Sequence, residues 1–380
     1  MGFGAKSAED DPTPHRFEMR IGKENTRPVL GLLLFGSLAA CSSPPAPADP
    51  TPTMPVASAT SLHTQVAAST PPPSVSAAAP APEVPPTTQT LPSVPKATAT
   101  RILFAEGVPA GTCENADEKT AIRCLIERRY EGEAKAKALA LSLFDSSGHV
   151  AGVEGEYMMD GGYRGTIRIV PEWPFGKYEK HLKWVVASAD DFNVFFDKLG
   201  DKTGKPFRYR HRAIAFKFMR SVNRTTPSAY ASEWSIGYNV SGSLHASVDA
   251  VRETLFHEIF HLNDSEHAVG SMNWSAKALG AIHEAILVKC GTRIACLTPY
   301  APMPTMVRGG TYYAFQPNNG QAVHEYGAEL GTRYYREHRA IFRGEKLAGR
   351  AFKCGPKENA EAWKLIVDEF FGGVDLVPVC

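Results

Sequence analysis

Proline is spread so unevenly along this chain that it decides where a folded domain can lie. Of 29 prolines in 380 residues, 15 fall between residues 42 and 100, where Asp49, Glu83 and Lys96 are the only charged side chains. The rest of that stretch is largely Ala, Ser, Thr and Val, which cannot bury enough apolar surface to offset the entropy of ordering the chain. Residues 41–100 therefore read as an extended tether that reaches roughly 180 Å when stretched, at about 3.1 Å per residue. The folding unit is left to residues 101–380, which carry 35 basic and 33 acidic side chains. With a whole-chain net charge of +1, a nucleic-acid groove, which demands a basic excess, is not expected.

Ahead of the tether stands an addressing signal. Residues 1–18 are polar; Met19, the expected start of translation, opens a basic stretch with Arg20, Lys23 and Arg27, and an apolar run follows from Val29 to Ala40. Twelve residues are too few for a permanent membrane span but suit a signal-peptide core. The run ends Leu38-Ala39-Ala40-Cys41, which resembles a bacterial lipobox; the plainer alternative is a signal peptide that happens to meet a cysteine. The resemblance implies removal of residues 1–40, a lipid on Cys41 that anchors the chain to a membrane, and, with Ser42 next, an outer-membrane lipoprotein of the cell envelope. With Cys41 set aside, six cysteines remain, and an exported domain favours pairing them. Their spacing suggests the local set Cys113–Cys124, Cys290–Cys296 and Cys354–Cys380.

Within the domain the pattern predicts an α+β fold, with a mixed or antiparallel sheet over about 101–246 and helices over about 247–380. A helix is expected over Ala116–Tyr130, then strands over Ala136–Phe144, Val150–Tyr157, Gly165–Val170 and Leu182–Ala187, with a short helix Ala189–Leu199. The alternation of Ile214, Phe216 and Phe218, and of Trp234, Ile236, Tyr238 and Val240, predicts two more strands, the second at an edge. Arg208, Arg210 and Arg212 read as one solvated strand face.

The stretch from Ser247 to His267 carries the chemistry. Val248, Val251, Leu255, Ile259 and Leu262 form one stripe of an amphipathic helix. His257 and His261, four residues apart, project side by side from another face. The string His257-Glu258-Ile259-Phe260-His261 matches H-E-x-x-H, in which two imidazoles share a zinc ion and the glutamate serves as general base. A catalytic site needs a third ligand. His267 stands ten residues after His257, at the metzincin spacing, though Asp264 occupies the position of that pattern's glycine. Glu284 and Glu325 lie on following helices. Gly327 and Gly331, each costing a helix about 1 kcal/mol, suggest that the Glu325 helix passes close to another element, and the zinc helix is the one expected.

HEIFHLND followed later by HEYGAE resembles the catalytic domain of anthrax lethal-factor-like zinc peptidases, whose pattern is H-E-x-x-H-x-x-D and then a helix bearing E-[FY]-x-A-E. The resemblance covers roughly residues 247–341. It implies a zincin-like fold, one Zn2+ per chain held by His257, His261 and Glu325, Glu258 as general base, and Asp264 and Glu329 in supporting positions. The chain departs from the pattern in a longer gap between motifs and in its tyrosine: Tyr312 and Tyr313 are the nearest counterparts of the family's transition-state tyrosine. His283, His324 and His338 are expected at the surface or behind the ligands. The expectation is a monomeric, lipid-anchored endopeptidase acting on a peptide or protein. The alternatives are a non-catalytic surface lipoprotein and a metzincin-type enzyme using His267.

Overall fold

Among the described residues, three helices precede the first strand. The computed structural model describes residues 93–380 apart from 108, 110–112, 114–116, 162–164, 308–309 and 318–321, so the signal region, Cys41 and nearly all of the tether lie outside the described residues. Helix α1 (Lys96–Leu103) buries Ala99, Ile102 and Leu103, and Val94 before it is 1% exposed; the packed chain thus begins a few residues before the expected start at 101. Helix α2 (Glu118–Arg129) starts where the Asp117 side chain accepts a hydrogen bond from the Thr120 N–H, one of the donors a helix start leaves unpaired.

Helix α3 (Ala134–Ser147) corrects the expected strand Ala136–Phe144. The alternation of alanine with lysine imitates a strand, but Ala, Leu and Lys are strong helix formers. The residues that reach the core, Ala136, Ala140, Leu143, Phe144 and Ser147, follow helical steps. Gly148 ends the helix at φ 66°, a left-handed conformation that glycine adopts without a Cβ penalty. Likewise Leu182–Ala187 is no strand but part of α4 (Glu179–Gly200), whose buried face runs unbroken from His181 to Leu199. Val185 and Val186 favour extended backbone locally, and packing overrides them.

The sheet has six strands: β1 (Val150–Val153), β2 (Tyr157–Asp160), β3 (Thr166–Pro171), β4 (Ala215–Ser221), β5 (Ala229–Ser232) and β6 (Ser235–Asn239). Its order is β2-β3-β4-β6-β5, with β1 also paired to β4. β1 and β6 run parallel to β4, while the β2–β3, β3–β4 and β5–β6 pairs are antiparallel. The segment expected at the edge, Trp234–Val240, therefore lies inside as β6; the edge on that side of the sheet is β5. Residues 207–212 belong to no strand. Instead of a solvated face, Arg210 stacks its guanidinium 3.7 Å from the Trp234 ring centroid and donates to the carbonyls of Arg212 and Ala213.

The remaining helices are α5 (Val248–Glu266), α6 (Trp274–Cys290), α7 (Ile294–Leu297), α8 (Ala322–Phe342) and α9 (Lys357–Phe370). The result is a mixed α+β fold, 51% helix and 12% strand among the described residues, with a curled mixed sheet and C-terminal helices. Helices also precede and interrupt the sheet, so the expected order of sheet then helices holds only in its second half. Phe192, Phe195 and Phe196 of α4 meet Phe256 of α5, and the first two also meet Tyr335 of α8. Each such ring contributes about 1.5–3 kcal/mol by burial, which fixes α5 and α8 on a common base. The three disulfides are Cys113–Cys124, Cys290–Cys296 and Cys354–Cys380, as the spacing suggested. No helix among the described residues is long and apolar enough to cross a membrane.

Candidate metal centre

Helix α5 begins at Ser247, whose side chain accepts from the Ala250 N–H. It turns Val251, Leu255, Ile259 and Leu262 into the core. That rotation leaves His257 and His261 facing α8, where Glu325 sits in the first turn. The three side chains converge: His257 Nε2 lies 3.0 Å from Glu325 Oε2, His261 Nε2 lies 3.4 Å from the same oxygen, and the two Nε2 atoms are 3.1 Å apart. A tetrahedral site with bonds near 2.0–2.1 Å spaces its ligand atoms about 3.3 Å apart, so this triangle matches the base of a zinc site. Between two imidazole nitrogens that face each other, at most one hydrogen can sit. A cation shared by both lone pairs and a carboxylate suits this donor set. Among the described residues, these three form the one group of His, Cys, Asp or Glu side chains that could hold a metal ion.

Glu258 is 8% exposed beside the triad, and burial pushes its carboxyl up to about 7; His261 opposes that rise and Glu325 adds to it. Burial would also raise Glu325, but its hydrogen bonds to His257 and His261 prevail and hold it well below the ordinary carboxylate range. Glu329, one turn further along α8, is buried and pushed well above the usual value by desolvation, with Thr305 as a hydrogen-bond partner.

The other proposed ligands are elsewhere. His267 ends α5 with Nδ1 2.8 Å from Glu369 Oε1 and Nε2 3.1 Å from the Arg208 carbonyl. Both its nitrogens are engaged away from the triad, because Asp264 continues the helix where a glycine would let the chain leave. Glu284 is exposed on α6, the side of that helix facing away from its buried residues.

Asp264 is fully buried and accepts from the Ser275 N–H (2.6 Å), the Ser275 hydroxyl (2.6 Å) and His324 Nδ1 (2.8 Å). It thereby satisfies a donor in the first turn of α6 and grips the residue next to Glu325. Gly327 and Gly331 explain themselves in the same region. A Cβ at Gly331 would lie 2.6 Å from Phe260 Cδ2, and one at Gly327 would lie 3.1 Å from Phe260 Cε1 and from Ser275 Cβ. Phe260 belongs to the H-E-x-x-H helix, so the two glycines allow the close approach of α8 to α5 that the sequence suggested.

Tyr313 and Tyr312 separate cleanly. The Tyr313 ring centroid is 6.1 Å from that of His257, whereas the Tyr312 hydroxyl donates to Thr298 Oγ1. The short turn Tyr313–Phe315 is pinned by His283, whose Nε2 donates to the Ala314 carbonyl at 3.0 Å and whose ring stacks on Phe315. His283 and His338 are thus buried, not at the surface. Sequence reasoning missed Ser275 and strand β5, for which Ala-Tyr-Ala-Ser offers too short and too polar a run. Comparison with family models, with curated proteins and with solved structures gave no match to this chain.

Proposed function

We propose that the chain is a zinc-dependent endopeptidase of zincin-like fold, anchored to the cell envelope through a lipidated Cys41. The observation that carries this reading is the convergence of His257, His261 and Glu325 with buried Glu258 alongside. His257, His261 and Glu325 would hold the zinc, which would supply a Lewis acid for the scissile carbonyl and acidify the attacking water. Glu258 is no member of the ligand triangle, so its carboxylate serves to take the proton of that water and pass it to the leaving amide nitrogen. Tyr313, whose ring centroid lies 6.1 Å from that of His257, is the candidate for stabilising the oxyanion.

The substrate backbone would lie on β5. Asn239 N–H bonds the Ser228 carbonyl, and the register pairs Ala229 with Tyr238 and Ala231 with Ile236. Antiparallel alternation then turns the N–H and C=O of Ala229 and Ala231 away from β6. β5 packs against α5 and ends the sheet, so an extended peptide can add to it as a strand. The disulfides are compatible with an extracytoplasmic location. The test is Glu258→Gln in the full chain: zinc content should stay at wild type while cleavage of an unstructured protein such as casein falls at least about 100-fold. Undiminished cleavage in that variant removes the hydrolytic role of Glu258.

A further inference from the structure

A cleft of about 740 Å3 opens one helical turn from His257. Glu253 of α5 lines it, four residues before His257; so does Tyr312, the neighbour of Tyr313. Its long wall is α8 beyond the triad, where Arg336 follows Glu325 by eleven residues and so returns to within about 20° of its helix face, while Arg333, eight residues on, is turned about 80° from it. The opposite wall is apolar, built by residues 301–304 and by Leu347.

The charges of this cleft are uneven. Six cationic side chains line it, Arg252, Arg333, Arg336, Arg339, Arg343 and Lys346, against four carboxylates, Asp249, Glu253, Glu337 and Glu345. Three of the carboxylates are committed to close partners. Glu337 takes Arg333 Nε at 2.6 Å and the Phe352 N–H at 3.0 Å, Asp249 binds Arg252, and Glu345 lies 2.8 Å from Arg343. Arg339 is held in a fork by Asp191 of α4. Arg336 has the loosest of these pairs, 3.7 Å from Nε to Glu253 Oε1 of α5, and its side chain is 41% exposed. Exposed Lys346 lies in the same cleft.

From these observations we infer that the cleft is an extended subsite for an acidic stretch of the substrate polypeptide, with Arg336 and Lys346 as the residues that select it. The inference rests on the endopeptidase reading for its placement beside the triad. Along α8, at 1.5 Å per residue, Arg333 and Arg336 stand about 12 and 16 Å from Glu325. An extended chain rises about 3.3 Å per residue, so the acidic residues fall roughly three to five positions from the scissile bond. A carboxylate there meets a planar guanidinium able to bind it in two-pronged fashion, while an ammonium meets like charge.

The test measures binding and turnover separately. Rhodamine-labelled peptides, identical except for a Glu-Glu or a Lys-Lys pair in an Ala/Ser backbone, are titrated by fluorescence anisotropy with zinc-loaded full-length Glu258→Gln protein. The Glu-Glu peptide should bind at least tenfold tighter, and adding Arg336→Glu with Lys346→Glu should abolish or invert that preference. Both positions are exposed enough to change without unfolding, which circular dichroism verifies. Equal binding of the two peptides, tighter binding of the Lys-Lys peptide, or a preference untouched by the two substitutions overturns the inference. Cleavage of casein by the wild-type protein is scored apart: turnover without acidic preference sinks the subsite and leaves the peptidase, and acidic binding without turnover does the reverse.

Discussion

Three helical glycines should respond to alanine with different signs, because their surroundings differ while their intrinsic propensity does not. In a helix interior Gly→Ala is worth about 1 kcal/mol of added stability. At Gly280 of α6 nothing lies within 4 Å of the added Cβ, so the full gain of about 1 kcal/mol is expected. At Gly331 the Cβ would stand 2.6 Å from Cδ2 of Phe260 and within 3.3 Å of two more ring atoms. That ring is fully buried and cannot swing aside, so overpacking of about 1–3 kcal/mol outweighs the gain. Gly331→Ala should then destabilise by up to about 2 kcal/mol, and Gly327→Ala, with contacts at 3.1 Å, should fall near zero. Phe260 stands directly before His261, so a shifted ring also tilts the ligand set, and zinc affinity should fall in Gly331→Ala alone. Urea unfolding of the three variants beside wild type, with zinc affinity from chelator competition, reads both effects. A Gly331→Ala protein as stable as Gly280→Ala, with unchanged zinc affinity, refutes the close approach of α5 and α8.

Asp264→Asn removes a buried charge that accepts three hydrogen bonds; unfolding free energy should drop by about 1.5–3 kcal/mol and zinc affinity by about 10–100-fold, measured by urea melts and chelator competition. His338 donates from Nδ1 to the Tyr334 carbonyl and accepts the Leu376 N–H at Nε2, and burial first of all lowers its pKa to about 4. It stays neutral when folded yet takes a proton near pH 6.5 when unfolded. Its contribution is complete above pH 6.5 and is lost as pH falls towards 4, so the stability advantage of wild type over His338→Gln should shrink by about 1.4 kcal/mol per pH unit in that window; a constant difference contradicts the neutral ring. Replacing both cysteines of Cys354–Cys380, which span 26 residues, should cost about 3.5 kcal/mol, against about 2 kcal/mol for Cys290–Cys296 with its span of six. Thermal melts of the two double variants compare them.

The candidate site was more legible in the sequence than the fold around it. H-E-x-x-H is a statement about one helix, and a four-residue step fixes two side chains whatever the rest of the chain does. Gly327 and Gly331 likewise announced a contact through a cost that local structure alone does not explain. The errors lay where short windows allow two periods. Ala136–Phe144 alternates like a strand but folds by alanine and leucine propensity, and Leu182–Ala187 carries β-branched residues that a helix of 22 residues absorbs. The resemblance pointed to Glu325 as third ligand, whereas spacing alone left His267 and Glu284 open, since which helix meets α5 depends on contacts such as the buried grip of Asp264 on Ser275 and His324. The edge strand was misplaced because β6, buried along its whole length, is the better hydrophobic pattern, while the true edge reads as polar.

Metal analysis of the purified full-length chain tests the central claim most directly. One zinc per chain is expected in wild type, in Glu258→Gln and in Glu284→Ala, with loss of the metal in Glu325→Ala. A wild-type protein that takes up no zinc, or a Glu325→Ala protein that holds it as tightly as before, contradicts the ligand triangle.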